Sequence, residues 1–322
     1  VSKVYDIKLG YSCNNHCLHC VIEPNVRHLE RIGEKIDSSY GEIIECLNSS
    51  EFKAADSVVI TGGEPTLRKE FIRIIKYISI NFPEKVIIVQ TNGRLLNRHL
   101  AELKKISNKI QYVVAVHGTE EVHNLVTGNR GGNPFRETWE SLRKIKEVYG
   151  DFNSVARIEI VWSSYNIEDT VKCTRMLFEN GFTSIGYSYP HMDGKYENDS
   201  SEARRLGFPY SKLLPILEQL YDLSVEYSQS RLTFEEVPLC MFRRQSGQKL
   251  AISNKFTSIG HNRASATVKF PGMKLTNFDS EFARMHRKVP ECSRCRYDSS
   301  CLGVWYEAVA LYGSEGFLPV LD

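Results

Sequence analysis

Short apolar runs alternate with helical stripes along the first 190 residues. Tyr5 to Tyr11 holds a first strand-like run. Ser57 to Thr61 is apolar at its centre and stops at Gly62-Gly63, the pattern of a strand buried on both faces. Lys85 to Gln90, Ile110 to Val116, Val155 to Trp162 and Ser184 to Tyr189 repeat the signal. Between them lie helical stripes. One carries Ile43, Ile44 and Leu47, with Asp37 and Ser38 as its caps. Others carry Phe71, Ile74, Ile75 and Ile78, then Leu96, Leu100, Leu103 and Ile106, then Phe135, Trp139, Leu142 and Ile145. Glu168 to Asn180 makes a further helix with Gly181 at its end.

Six strand-then-helix units predict a parallel sheet with right-handed crossovers and outer helices. In such sheets function collects beyond the carboxyl ends of the strands. The expected fold class is α/β, a partial (βα)6 TIM-like barrel. The alternation fails after about residue 190, which argues against eight units. Tyr189 to Pro209 reads as a polar loop, Ser211 to Tyr227 as a helix and Arg231 to Val237 as a strand. Residues 241–280 look irregular, apart from a strand signal at Ala266 to Phe270, and Val304 to Leu311 reads as a last helix. A domain boundary at 205/206 separates a core, 1–205, from a smaller α+β tail, 206–322.

Composition changes this picture little. The net charge of +2 and the lack of a dense basic block give no reason to expect a nucleic-acid partner. No stretch of about 18 apolar residues offers a membrane span, and nothing at the N-terminus reads as a signal peptide. Cysteine usage is more informative. Seven of the nine cysteines fall in two groups, 13, 17, 20 and 240, 292, 295, 301. Grouping of this kind suits metal ligation in a reducing cytoplasm better than a secreted disulfide framework.

Cys13, Cys17 and Cys20 stand at C-x3-C-x2-C spacing in one loop after the first strand. Thiolates so spaced can close on one soft metal centre. Zinc usually takes four protein ligands, and no fourth local cysteine is present. Unrelated buried thiols, or part of a zinc site, remain the plain alternatives. At the next strand end stands Thr61-Gly62-Gly63-Glu64-Pro65, where a glycine pair lets the backbone approach a ligand.

Together, in this order and each at a strand end, the two motifs resemble the cluster loop and the GGEP turn of the radical S-adenosylmethionine (SAM) enzymes. His19 holds the place usually taken by an aromatic residue. The resemblance implies a [4Fe–4S] cluster on Cys13, Cys17 and Cys20, with one iron open to SAM. The Gly62, Gly63, Glu64, Pro65 turn then meets the methionine amine, and His19 packs near the adenine. Thr91, Asn92, His117 and Arg157 are further candidates for cofactor contact; each has an ordinary role as turn, core histidine or strand-edge charge. Such enzymes cleave SAM reductively to methionine and a 5′-deoxyadenosyl radical, which takes hydrogen from a substrate C–H bond. They draw the electron from a donor such as flavodoxin or ferredoxin.

Cys240, Cys292, Cys295 and Cys301, followed by Gly303, resemble the tails called twitch and SPASM domains. Four thiolates suit one auxiliary [4Fe–4S] cluster for electron transfer; a structural zinc is the alternative. Cys46, Cys173, Tyr189 and His191 are the weak candidates for handling the substrate radical. The substrate expected is a peptide or peptide-derived product, although the short stretch before Cys13 leaves no room there for a leader-binding domain. A small-molecule dehydrogenase or epimerase acting on an amino sugar or cofactor precursor is the second reading, and a non-catalytic metal scaffold the third.

Overall fold

The computed structural model describes residues 3–106, 109–128, 130–192, 200–258, 265–269, 271, 276–277 and 284–321. The fold is an open, mostly parallel α/β sheet of the TIM-like kind, with a small antiparallel pair near the C-terminus. The chain divides into two compact units.

The first unit comprises Val1–Val116, Thr127–Arg157 and Ala264–Ser280. Its strands are β1 (Lys3–Lys8), β2 (Ser57–Thr61), β3 (Val86–Thr91) and β4 (Ile110–Ala115). They pair in parallel in that order, Ile7 opposite Ile60 and Val59 opposite Ile88. Ser265–Lys269 adds in parallel to the free edge of β1, and Thr276–Asn277 pairs antiparallel with it. The strand signal at Ala266 to Phe270 thus belongs to the sheet, with Phe270 itself outside the described residues. Tyr5 and Ile7 alternate inward on β1 and Leu9 continues the pattern just past it, while Val58, Val59 and Ile60 are all buried, as a strand covered on both faces requires.

The helix Phe71–Asn81 buries Phe71, Ile74, Ile75 and Ile78, the expected stripe. Two local expectations need correction. The helix Tyr40–Leu47 is capped by Ser39, in a capping box with Glu42, and Asp37 serves another purpose described below. In the helix Pro134–Tyr149, Trp139 is only half-buried, whereas Thr138 and Ser141 are buried. Their hydroxyls donate to the carbonyls of Asn92 and Gly93, so this face is chosen by a turn it holds as well as by apolar packing.

The second unit comprises His117–Val126, Ile158–Arg263 and Glu281–Asp322. It contains most of β5 (Ala156–Val161), then β6 (Ser184–Ser188), β7 (Arg231–Glu235) and β8 (Phe256–Ser258), all parallel. Parallel pairing therefore runs past the point where alternation weakens in the sequence. The stretch Tyr189 to Pro209, expected as loop, includes the helix Ser200–Leu206. Among that helix's residues of described burial only Ala203 and Leu206 are buried, too few to show a period. Trp162, Tyr187 and Phe234 stack along the core. His286–Arg287 and Val304–Trp305 form the antiparallel pair. No helix among the described residues is long and apolar enough to cross a membrane.

Candidate active site

The loop after β1 is held from several sides within the first unit. Asp37 accepts from the N–H groups of Tyr11 and Ser12, at 2.8 and 3.0 Å, and from the Ser12 hydroxyl at 2.6 Å. Arg68 donates to the carbonyls of Leu9 and Ser38. His16 N–H donates to the Thr127 carbonyl at 2.8 Å. A Cβ on Gly128, whose φ is +59°, would overlap the His16 carbonyl, so this glycine lets the two loops touch. The Thr127–Gly132 segment is thus a wall of the cysteine loop; its Asn129 lies outside the described residues.

The Gly62–Pro65 turn is locked to the same loop. Gly63 N–H donates to Gly10 O and Glu64 N–H to Ser12 O, both at 2.8 Å. A Cβ on Gly62 would overlap the Gly10 carbonyl, and one on Gly63 the carbonyls of Tyr11 and Ser12. Those two N–H groups are spent within the loop and are not left to bind an anion such as a phosphate. Glu64 is 2% exposed. It accepts from Thr66 N–H at 3.0 Å, Thr66 Oγ1, Thr91 Oγ1 at 2.7 Å and Asn92 N–H at 2.7 Å. Burial raises its pKa and these donors oppose the rise.

Cys13 and Cys17 each feel Cys20 electrostatically, so the three thiols face a common region. Desolvation pushes the Cys13 thiol up to about 11 and Cys17 further in the same direction. Asn15 N–H donates to Cys13 Sγ at 3.4 Å, and Asn92 Nδ2 approaches the same sulfur at 3.9 Å. Asn92 also donates to Asn14 Oδ1 at 2.7 Å. Pro65 opens a short 3-10 turn, and His19 is buried in the cysteine loop. Among the described residues no three His, Cys, Asp or Glu side chains are arranged to hold a single metal ion. The donor set fits a cluster in another way: desolvated thiols in one loop, with N–H groups aimed at sulfur.

Arg94 went unnoticed in the sequence, where it follows Asn92-Gly93 as one more charge. It is 7% exposed. Its guanidinium reaches Glu137 Oε2, Asn14 O, Asn15 Oδ1 and Gly131 O, spanning three loops. The only forewarning is a lone arginine followed by Leu95-Leu96 in an apolar setting.

Other candidates lie in the second unit or on β5. His117 is 3% exposed; its Nδ1 accepts from Val161 N–H at 3.2 Å, which places its proton on Nε2. Arg157 is half-buried on the face of β5 that also carries Glu159. Cys173 is fully buried on the helix Thr170–Glu179, with the Gly118 N–H toward its sulfur. Tyr189 is fully buried, stacked on Tyr210 at 4.1 Å, and donates to the Phe208 carbonyl. His191 packs on Trp305 at 4.2 Å. In the first unit, Cys46 is half-buried on the helix Tyr40–Leu47, close to Tyr5.

In the tail, Cys240, Cys292, Cys295 and Cys301 line one cavity, together with Leu239 and Phe317. Desolvation and the neighbouring thiols push Cys240 up to about 12. Gly303 N–H points to Cys301 Sγ and Val320 N–H to Cys295 Sγ, both at 3.4 Å. Beside this cavity is a pair the sequence did not reveal. Glu236 adopts φ +61°, and its carboxylate meets His286 Nε2 at 2.8 Å with both side chains 4% exposed.

The family model for the radical SAM superfamily matches residues 7–160. That stretch is a radical SAM domain. It contains the cysteine loop, the Gly62–Pro65 turn, Asn92, Arg94 and His117. The chain is 33% identical over 144 residues to the molybdenum cofactor biosynthesis protein moc-5 of Caenorhabditis elegans, covering 44% of this chain and 23% of that protein. It is 31% identical over 146 residues to GTP 3′,8-cyclase of Aquifex aeolicus, 45% of this chain and 44% of the cyclase. The matches thus span less than half the length of these curated relatives. The fold likeness is wider. The structure of anSMEcpe with bound AdoMet and a peptide aligns with 100% of this chain and 93% of its own, at TM-score 0.66 and 16% identity. Streptococcus suis SuiB bound to precursor peptide SuiA aligns over 99% and 74%, at TM-score 0.63 and 14% identity.

Proposed function

We propose that this chain is a radical SAM enzyme with a second, redox-active cluster in its tail. The observation that carries the reading is the lock between two loops: Gly63 and Glu64 N–H groups bonded to Gly10 and Ser12, three residues and one residue before Cys13. It brings carbonyl acceptors for a ligand ammonium beside a three-thiol loop.

Cys13, Cys17 and Cys20 would hold a [4Fe–4S] cluster, and the carbonyls of Gly62 and Gly63 would take the SAM amine. With both bound and one electron supplied by a donor such as a flavodoxin or ferredoxin, this centre supplies methionine and a 5′-deoxyadenosyl radical able to take a hydrogen atom from a substrate C–H. His19, Thr91, Asn92, His117 and Arg157 are the proposed surroundings of SAM. Thr91 and Asn92 act chiefly through Glu64 and Asn14, to which their side chains and backbone are bonded. Cys240, Cys292, Cys295 and Cys301 would hold the second cluster. The proposed functional boundary stays at 205/206, because all four tail thiols lie beyond it.

For the substrate we favour a peptide or peptide-derived product, on the likeness that extends through the tail to enzymes solved with peptides. The sequence identity to a GTP 3′,8-cyclase and to a molybdenum cofactor biosynthesis protein favours a second reading, a nucleotide or other cofactor precursor. The test is anaerobic incubation of reconstituted protein with SAM and dithionite. Formation of 5′-deoxyadenosine is expected; its absence from protein loaded with iron and sulfide would remove the reading.

A further inference from the structure

Among the described residues Glu236 is the one non-glycine with positive φ, at +61°. In this left-handed region a Cβ crowds the following carbonyl, so a glutamate does not stay there unheld. Two groups hold it. The Tyr210 hydroxyl donates to the Glu236 carbonyl at 2.9 Å. His286 Nε2 meets the carboxylate at 2.8 Å, with both side chains 4% exposed. His286 is itself fixed by other contacts. It lies on the strand His286–Arg287, paired with Val304–Trp305, and its ring rests on Trp305 at 4.5 Å.

The bend stands at the entrance to the tail thiols. Pro238, Leu239 and Cys240, just after Glu236, line the four-thiol cavity, and so do Arg287, Lys288 and Val289, just after His286. The other three thiols, Cys292, Cys295 and Cys301, all come from the chain beyond His286. The Glu236–His286 bond thus joins the two segments that supply the thiols.

We propose that His286 is a positioning residue for Cys240: by holding Glu236 in its left-handed bend, it delivers the fourth thiol to the metal centre of the tail. This rests on the reading of the tail as a four-thiolate site and is indifferent to whether iron or zinc is bound. When the imidazole is lost, the glutamate relaxes toward negative φ and Cys240 leaves the set. A glycine at the same place takes the bend without a holder.

The test uses the full-length chain carrying Cys13→Ala, Cys17→Ala and Cys20→Ala, so that added Co(II) reads the tail alone. Thiolate-to-cobalt charge-transfer absorbance per bound metal counts the thiolates. His286→Ala is expected to lower it by about one quarter, one thiolate of four, and to match Cys240→Ser. Adding Glu236→Gly to His286→Ala is expected to restore the parent spectrum. Adding Glu236→Ala instead removes the same carboxylate but disfavours the bend, and is expected to leave the spectrum low. A parent spectrum in folded His286→Ala would overturn the inference. So would equal spectra from the glycine and alanine double variants, since the backbone bend would then not matter. That comparison decides even where His286→Ala alone does not fold. A four-thiolate spectrum missing from the parent chain would be a separate failure, that of the tail reading itself, and would take the inference with it.

Discussion

Thr91 Oγ1 donates to the buried Glu64 carboxylate at 2.7 Å, and this bond ties the end of β3 to the turn after β2. The glutamate acts as a pure acceptor for four donors, drawn from Thr66, Thr91 and Asn92. Glu64→Gln turns an NH2 toward at least one donor. We expect a loss of about 1–3 kcal/mol in unfolding free energy, with weaker SAM binding measured by equilibrium dialysis. An unchanged denaturation midpoint would show that the network is dispensable.

Gly63→Ala probes the lock directly. Its Cβ would overlap two backbone carbonyls, which cannot swing aside as a flexible side chain does. The strain is expected to cost about 1–3 kcal/mol and to weaken SAM binding by at least about tenfold. Retention of full affinity would mean that the turn does not shape the SAM site.

The thiols make the metal-free protein pH-sensitive. Cys13 stands at about 11 in the folded chain against an ordinary 9.0. Between those values the unfolded chain has lost the proton that the folded chain keeps. The metal-free protein is therefore expected to lose stability as pH rises from 9 toward 11. Thiolates are the ligands, so cluster insertion is also expected to release protons and to proceed faster at pH 8.5 than at pH 7. Urea titrations across this range, and indicator-dye detection of proton release, check the two halves. Stability rising with pH above 9 would contradict the first.

His286→Ala leaves the Glu236 carboxylate buried without its partner. Breaking a buried pair in this way is expected to cost about 3 kcal/mol or more. Calorimetry of the full chain reads the loss; a melting temperature within a degree of wild type would show that the pair adds nothing.

Much of this architecture is legible in the sequence because buried parallel strands write continuous apolar runs. Ser57–Thr61 ends where the apolar run ends, and Phe71–Asn81 buries the four residues its period selects. What escaped notice depends on contacts between distant segments. Asp37 looks like a helix cap, yet it serves Tyr11 and Ser12. Arg94 has no motif of its own; its role exists only where the cysteine loop, the Gly128–Gly132 segment and Glu137 meet. Glu236 and His286 are fifty residues apart, and local spacing cannot bring them together. Between β7 and the short β8 (Phe256–Ser258) lies a single 3-10 turn and no α-helix, so the alternation that revealed the earlier strands is missing there.

The most direct test of the two-cluster account is a count of iron, acid-labile sulfide and zinc per chain in anaerobically reconstituted protein. About eight irons with matching sulfide, and no zinc, are expected for two cubane clusters. About four irons with one zinc would make the tail a structural site and contradict its redox role.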